Sequence, residues 1–520
     1  MTGRPPHTPP RVLLINPRIC SRRRMRLPLS LLALAAVLQD RHEFEILDGN
    51  LLDDLPAVIA DRLAHRNGPV VAAVTVMPGP QVAPAIEVSA AVRAARPEAP
   101  IVWGGYFPTL YPDAAINAPY VDFVVRGQGE ETLLDLLSRL PDAGPSSPLQ
   151  SVTNAAMVRD VLGITWKDEG RIVHNAARPF KAPDEFPPYP YDRLDAVERY
   201  LQPTLMGTRT AVHQGAIGCR YRCTFCGVVS VYNGLTHLQG GARLAEAVGV
   251  LRDRYGANGM QYYDNNFFDA EPSAVPLLEA IASTTLPWWC YARADTMAAF
   301  SARTWALVRR SRLRMAYIGA EAASDDVLRS MKKGTRVEHT LEVAAKCREA
   351  GVVPEFSFVL GGPTDPEGEV ERTLAFVKRV KRVHPECEVV LLFYSPTPQR
   401  DRAFADREVA LPPRLAQYGP AGPPLPTTPE EWTQPRWVSY VCHQDAPWLS
   451  PHVRRRVRDF ARVLGCRFPS AQDRRTPRWG KAVLRTLASW RYASGLHGRP
   501  WELDLARRLI PIGEPEADGL

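Results

Sequence analysis

Two long stretches of this chain alternate short apolar runs with helix-patterned segments, and that rhythm leaves little choice of architecture. Between residues 11 and 140 the runs are Val12–Ile15, Phe44–Leu47, Val70–Val76, Ile101–Trp103 and Val121–Val125. Such a series predicts an α/β fold, here a five-stranded doubly wound (Rossmann-like) unit. Ligands of these sheets sit beyond the carboxyl ends of the strands. This chain places Asn16-Pro17, Met77-Pro78-Gly79-Pro80, Gly104-Gly105-Tyr106 and Gly127-Gln128-Gly129-Glu130 there. Glycine at such a position lets a ligand approach the backbone, but every strand-to-helix corner also needs a tight turn, so spacing alone does not separate the two uses.

A segment rich in Pro, Ser and Gly, Pro141–Pro148, precedes two extended runs, Ile164-Thr165-Trp166 and Ile172-Val173-His174, around Gly170. Pro183–Pro190 then reads as a proline-stiffened tether. Alternation resumes with Ala211–Ile217, Gly259–Tyr263, Trp288–Tyr291, Met315–Ile318, Glu355–Leu360 and Val389–Tyr394. Six such repeats predict a partial (β/α)6 barrel with its chemistry at the strands' carboxyl ends. The remainder is proline-punctuated, then helical, and holds six of the eleven tryptophans. The expected division is residues 1–145, 146–200, 201–400 and 401–520, which suits a chain of 520 residues, too long for one core.

No apolar run reaches the roughly 18 to 20 residues of a membrane span. Arg22, Arg23 and Arg24 before Leu27–Leu38 imitate an export signal, yet the run follows a strand, lacks a small-residue cleavage site and fits the first helix of a βαβ unit. A cytoplasmic location is expected. The nine cysteines agree, because the number is odd and three crowd into the eight residues from Cys219 to Cys226, which is metal-ligand spacing. The net charge of +8 is concentrated: His452–Arg508 carries fifteen Arg or Lys against four Asp or Glu. Such a face suits nucleic acid, an acidic substrate, a membrane surface or solvent.

The motif that carries chemistry is Cys219-Arg-Tyr-Arg-Cys223-Thr-Phe-Cys226, directly after a strand ending in Gly215-Ala-Ile-Gly218. A 4Fe-4S cluster takes one thiolate per iron, so three cysteines leave the fourth iron open to another ligand. A structural zinc site would need a fourth Cys or His, and His213 lies inside the predicted strand.

This spacing, with Phe225 before the last cysteine, resembles the radical S-adenosylmethionine (SAM) superfamily, whose members reductively cleave SAM at the open iron. The resemblance implies further sites. Tyr262-Tyr263-Asp264-Asn265-Asn266-Phe267 is similar to the motif that holds the SAM amino group, which implicates Asp264 and Asn265. Arg293 sits where relatives keep a base for the SAM carboxylate, Glu321 matches a ligand-contacting glutamate, and Gly361-Gly362-Pro363 resembles the glycine motif near adenine. A preceding α/β unit with Gly104, Gly105, Gly127, Gly129 and Glu130 at its loops looks like the cobalamin-binding subclass, so cobalamin joins the cluster and SAM as an expected cofactor. Many members of that subclass are methyltransferases acting on an unactivated carbon or phosphorus centre of a small molecule; others are cyclases or rearrangement enzymes. An electron donor such as flavodoxin or ferredoxin is implied as a partner.

The loop Pro17–Arg24 departs from the wider cobalamin pattern, having no Asp-x-His-x-x-Gly to ligate cobalt. Cobalamin would bind with no histidine below the metal, or the unit would be a scaffold. A tRNA methylthiotransferase is the nucleic-acid alternative, but it would carry a second cysteine cluster where this chain has only Cys20. A non-catalytic metal-binding module is the other, and it would have no use for Asp264, Arg293 and Glu321 at successive strand ends. No catalytic side chain and no substrate can be named from the sequence, and Trp437–Asp445 reads as an element sealing the barrel.

Overall fold

The computed structural model describes residues 10–65, 68–140, 155–362, 365–395, 425–446, 449–473 and 475–512. The linker Pro141–Pro148, the divisions expected at residues 145 and 400, and Pro363 lie outside them. Strands β1 (Arg11–Asn16), β2 (Phe44–Asp48), β3 (Val70–Thr75), β4 (Ile101–Gly104) and β5 (Phe123–Val125) are parallel in the order β2-β1-β3-β4-β5. Strand β1 shows why the runs are apolar throughout. Leu13 and Ile15 face a core completed by the helices Leu55–Ala64 and Val82–Ala95, while Val12 and Leu14 face one completed by Leu29–Leu38 and Glu130–Arg139. Both faces are covered, so both sets of side chains must be apolar. The arginine run is a short 3-10 turn, Arg22–Arg24, leading into the first of those helices.

The two runs around Gly170 do more than fill a linker. β6 (Ile164–Asp168) and β7 (Arg171–His174) form an antiparallel hairpin, and β6 pairs with β5, which extends the sheet to seven strands. Ile164 and Trp166 pack into the same core as Val12 and Leu14, so joining the sheet buries them.

The second unit contains β8 (Thr210–His213), β9 (Ala216–Gly218), β10 (Thr236–Leu238), β11 (Gly259–Tyr262), β12 (Trp288–Arg293), β13 (Leu313–Glu321), β14 (Val353–Leu360) and β15 (Glu388–Phe393). Six of them form a parallel sheet in the order β8-β11-β12-β13-β14-β15, a partial barrel. One expectation needs correction: Ala211–Ile217 is not a single strand. The sheet strand stops at His213, and Ala216–Gly218 swings out to pair antiparallel with β10. The cause is distant in sequence, because Asp264 Oδ1 accepts the backbone N–H groups of Gly215 (2.7 Å) and Ala216 (2.9 Å) and draws the chain off the sheet.

The carboxyl-terminal region is mainly helical and fastens both units. Trp432, on the helix Pro429–Trp432, is buried in the core of the first sheet, its ring centroid 5.9 Å from Phe107 and 4.2 Å from Tyr111. Eleven residues on, His443 O accepts the backbone N–H of Phe393 at the end of β15, and Tyr440 O accepts the hydroxyl of Ser395. The motif Trp437–Asp445 is therefore a helix, Pro435–Val441, and its exit, and it seals the end of β15 against the first unit. Among the described residues no helix is long and apolar enough to cross a membrane.

Removing this anchor has a defined cost. Trp432→Ala is expected to destabilise the chain by about 3–5 kcal/mol, the usual range for a buried large aromatic, whereas Trp490→Ala, at a site 51% exposed, should change stability by less than about 0.5 kcal/mol. Urea unfolding of the two variants checks the contrast, and equal losses would show that the strap is not anchored through Trp432.

Candidate functional site

The cysteine loop leaves β9 and ends where Cys226 precedes the helix Gly227–Tyr232. Thr224 N donates to Met331 O (3.0 Å), which ties the loop to the connection after β13. Each sulfur has a donor: the backbone N–H of Tyr221 for Cys219, that of Val228 for Cys226, and Arg293 Nη1, 3.9 Å away, for Cys223. Burial nevertheless pushes the Cys226 thiol up to about 12 and raises Cys219 as well. Thiols this reluctant to ionise alone give up their protons when a metal takes the sulfur. Among the described residues no three His, Cys, Asp or Glu groups gather as a single metal ion would require. A 4Fe-4S cluster makes no such demand, since each thiolate binds a different iron.

The strand-end residues fall into two sets. Around the cysteines, Arg293 lies under the Tyr221 ring, 3.4 Å from its centroid, and donates to Asp295 (2.9 Å) and to Lys333 O. Lys333 Nζ in turn donates to Glu321 Oε1 at 2.6 Å, with both side chains buried. Phe225 packs with Ala322, Val327 and Met331 beneath that pair, 5.9 Å from Lys333 Nζ. Arg293 and Glu321 are thus held by this chain's own groups. Asn266 Oδ1 and Nδ2 and Arg293 Nε are buried with no hydrogen-bond partner. Gly361, at φ +77°, lies against Leu449, where an added Cβ would come within 2.8 Å of the leucine side chain, and Gly362 N donates to Glu369 Oε2 at 2.9 Å.

The second set lines a cavity of about 290 Å³ between the first sheet and the barrel. Its volume is close to the lower end of the roughly 300–1,000 Å³ of ordinary ligand clefts. Gly104, Gly105, Gly127, Gly129 and Glu130 all lie on its wall. Gly105 needs φ +99° and leaves a Cβ only 3.0 Å from Val76 O, so only glycine turns there without strain. Burial pushes the Glu130 carboxyl up to about 7. Two of the four expected loops are absent from the wall. Met77–Pro80 is covered by the carboxyl-terminal strap, Gly79 facing Cys442 Sγ and Val441, while Asn16 and Pro17 are bonded to Gln81. Pro17–Arg24 lies off the cavity as well. The Pro183–Pro190 tether, by contrast, forms a side of it through Phe186, Pro188 and Tyr189. Asn265 joins the two sets: its Oδ1 accepts Gly218 N (3.1 Å) at the root of the cysteine loop, and its Nδ2 donates to Tyr106 OH (3.1 Å) on the cavity wall.

Sequence reasoning missed Lys333, Asn266 and Tyr106 as site residues. Tyr106 stood in a named loop, and Lys333 in Met331-Lys-Lys-Gly334 after a short helix, but nothing local distinguishes either from a solvated turn.

The chain matches the B12 binding domain over residues 26–137 and the radical SAM superfamily over residues 216–377. It is a radical SAM enzyme with a B12 binding domain. The cofactors of a radical SAM enzyme so composed are a 4Fe-4S cluster, SAM and cobalamin. Among its relatives is an uncharacterized methyltransferase of Pyrococcus horikoshii, 24% identical over 357 residues, spanning 68% of this chain and 73% of that one. Another is the anaerobic magnesium-protoporphyrin IX monomethyl ester cyclase of Rubrivivax gelatinosus, 23% identical over 299 residues, 54% of this chain and 48% of that one. The fold is shared with TsrM, a radical SAM methyltransferase of Kitasatospora setae solved with cobalamin and a 4Fe-4S cluster bound, at TM-score 0.58 and 20% identity over 74% of this chain and 72% of that one. The residues present fit these groups: three thiols on a loop rich in N–H donors suit the cluster, unpartnered Asn266 and Arg293 atoms suit a polar ligand, and the glycine-walled cavity suits a large flat one.

Asp264 makes one consequence measurable. Burial pushes its carboxyl from 3.8 up to about 7, against the opposing pull of the two N–H groups it accepts. Between those values the native chain holds the proton that the unfolded chain has lost, so stability falls as pH rises through that window. Asp264→Asn keeps an acceptor oxygen and removes the titration, so its stability should decline less steeply there, by about 1.4 kcal/mol per pH unit. Urea midpoints across the window test this, and an unchanged slope would place the proton elsewhere.

Proposed function

We propose that this radical SAM enzyme is a cobalamin-dependent methyltransferase that methylates an unactivated carbon, or phosphorus, centre of a small molecule. The observation that carries the reading is Asn265, whose amide binds the root of the cysteine loop with one end and the B12 domain's Gly104-Gly105-Tyr106 loop with the other. That bridge makes the two cofactor sites neighbours across one side chain, the arrangement that methyl passage between them needs. When bound, the cluster supplies the electron that cleaves SAM, and cobalamin supplies a methyl carrier.

In this reading residues 1–145 bind cobalamin and residues 201–400 form the radical SAM barrel. Cys219, Cys223 and Cys226 hold the cluster, with Phe225 as the apolar floor of their loop. The backbone and side chains at Asp264–Asn266, with Arg293 and Glu321, position the amino-acid end of SAM, and Gly361-Gly362 bounds its other end. Gly104, Gly105, Gly127 and Gly129 admit the corrin, and Glu130, its carboxyl pushed by burial up to about 7, can, when protonated, donate a hydrogen bond to an amide of its rim. A flavodoxin or ferredoxin would deliver the electron. The match to the Rubrivivax cyclase keeps a non-methylating branch as the second reading.

Anaerobic reconstitution followed by product analysis separates these readings. Cys219→Ala, Cys223→Ala and Cys226→Ala should each abolish the iron–sulfur absorbance, while Cys290→Ala, Cys347→Ala and Cys442→Ala retain it. Asn265→Ala should weaken retention of both cobalamin and SAM by about tenfold, the loss of one hydrogen bond of about 1 to 1.5 kcal/mol at each site. S-adenosylhomocysteine formed with the true substrate supports methyl transfer. 5'-Deoxyadenosine as the sole product moves the assignment to the cyclase branch.

A further inference from the structure

Nine large hydrophobic side chains are exposed among the described residues, and seven of them lie between residues 479 and 509. Trp479, Val483 and Trp490 follow one another on the outer face of the helix Arg478–Ser494, and Trp501, Leu505 and Leu509 on that of Trp501–Leu509, with Leu496 in the turn between them. The opposite faces, through Leu484, Ala488 and Leu503, already pack into a core of their own. A patch of this kind on an otherwise polar surface marks a contact with another body.

Charge identifies that body. All four acidic groups between His452 and Arg508 are taken up internally: Asp459 by Arg499 N, Asp473 by Lys481 and two backbone N–H groups, Glu502 by Arg491, and Asp504 by Arg462. Arg478, Arg485 and Arg508 stand exposed beside the apolar residues with no ion pair among the described residues. The occupant must therefore be negatively charged with an apolar interior. A second copy of this chain would set arginine against arginine. Single-stranded nucleic acid would stack on the tryptophans, but four of the seven exposed side chains are aliphatic and have no ring to offer a base. The electron donor and the substrate are excluded by position. The helical pair rests on the barrel helix Pro366–Val383 through Lys378, which donates to Tyr492 O (3.2 Å), and through Phe468, which packs on Tyr492 and whose ring centroid lies 4.5 Å from Lys381 Nζ. That helix starts beside Gly362 at the carboxyl end of β14, and Lys381 is twelve residues beyond Glu369, about 18 Å along it at 1.5 Å per residue. The pair thus rests at the end of that helix remote from the cysteine loop.

We propose that this helical pair docks the enzyme onto an anionic lipid surface, with Trp479, Trp490 and Trp501 seated at the headgroup level and Arg478, Arg485 and Arg508 beside lipid phosphates. Tryptophan suits that layer because its ring is apolar and its N–H stays wet, and helices with an apolar stripe and a basic flank lie in it. The binding is peripheral and leaves the barrel in water.

The full chain should co-sediment with vesicles of phosphatidylcholine containing phosphatidylglycerol, not with phosphatidylcholine alone, and release as salt rises. The triple variant Trp479→Ala, Trp490→Ala, Trp501→Ala should bind at least tenfold more weakly, and Arg478→Ala, Arg485→Ala, Arg508→Ala should lose most of the salt dependence. Both should keep the unfolding midpoint and cluster content of the parent, since these side chains are exposed. No binding to the anionic vesicles, unchanged binding by the tryptophan variant, or a tryptophan-dependent dimer or RNA complex in place of vesicle binding would each overturn the proposal.

Discussion

Three consecutive side chains after β11 decide where everything else in the site can be. Asp264 takes two backbone N–H groups of the segment following β8 and turns it away from the sheet. That turn creates the antiparallel pair from which the cysteine loop departs. Asn265 then holds the root of the loop and the wall of the first unit together, and Asn266 remains buried with its amide unpartnered. A buried carboxyl costs stability unless it is hydrogen-bonded or protonated, and Asp264 draws on both, its affinity for a proton being raised by burial while two N–H groups share its Oδ1. Positioning the loop is worth that cost, because without this contact Gly215–Gly218 would simply extend β8.

What could be read from the chain itself was what is encoded locally. The strands announce themselves because both faces of each sheet are covered and every position in a run must be apolar. The cysteine loop announces itself because three cysteines sit within eight residues. The break after His213 could not be seen, since its cause lies 49 residues beyond Gly215. The same holds for Lys333, whose partner Glu321 is twelve residues back across a helix and a turn. Glycine misled at Met77–Pro80: Gly79 has φ +88°, but the space it leaves is filled by Cys442 and Val441, not by a ligand. Proline misled in the opposite sense at Pro183–Pro190, where stiffness suggested a mere connection and the segment is a wall of the cavity.

The strap after the barrel explains how two units with separate cores keep one cavity between them. A large opening between domains tends to collapse or gape unless something outside it fixes the spacing. Trp432 in the first core, and His443 O on the backbone of Phe393 in the barrel, provide that from the far side. Tyr200 OH, donating 2.8 Å to Asp48 at the end of β2, and Arg26, donating to Gln261 and Tyr263, provide it from the near side.

The cysteine loop also depends on charge. In the proposed reading three thiolates concentrate negative charge on this loop, and two buried cations stand beside it. Arg293 reaches Cys223 directly, and Lys333 lowers the proton affinity of both Cys219 and Cys226. Each cation has its own carboxylate behind it, Asp295 for Arg293 and Glu321 for Lys333. Burial alone would push the Lys333 ammonium towards neutrality, and Glu321 and Cys223 together more than offset that, so the positive charge persists. Glu321 is held for this purpose at φ +62°, where β13 slips register against β14. A non-glycine residue there carries about 1–3 kcal/mol of strain. Strain in Glu321 and the desolvation of Lys333 both work against folding, so packing does not account for a cation beside the cysteines, whereas a cluster held there, as proposed, would.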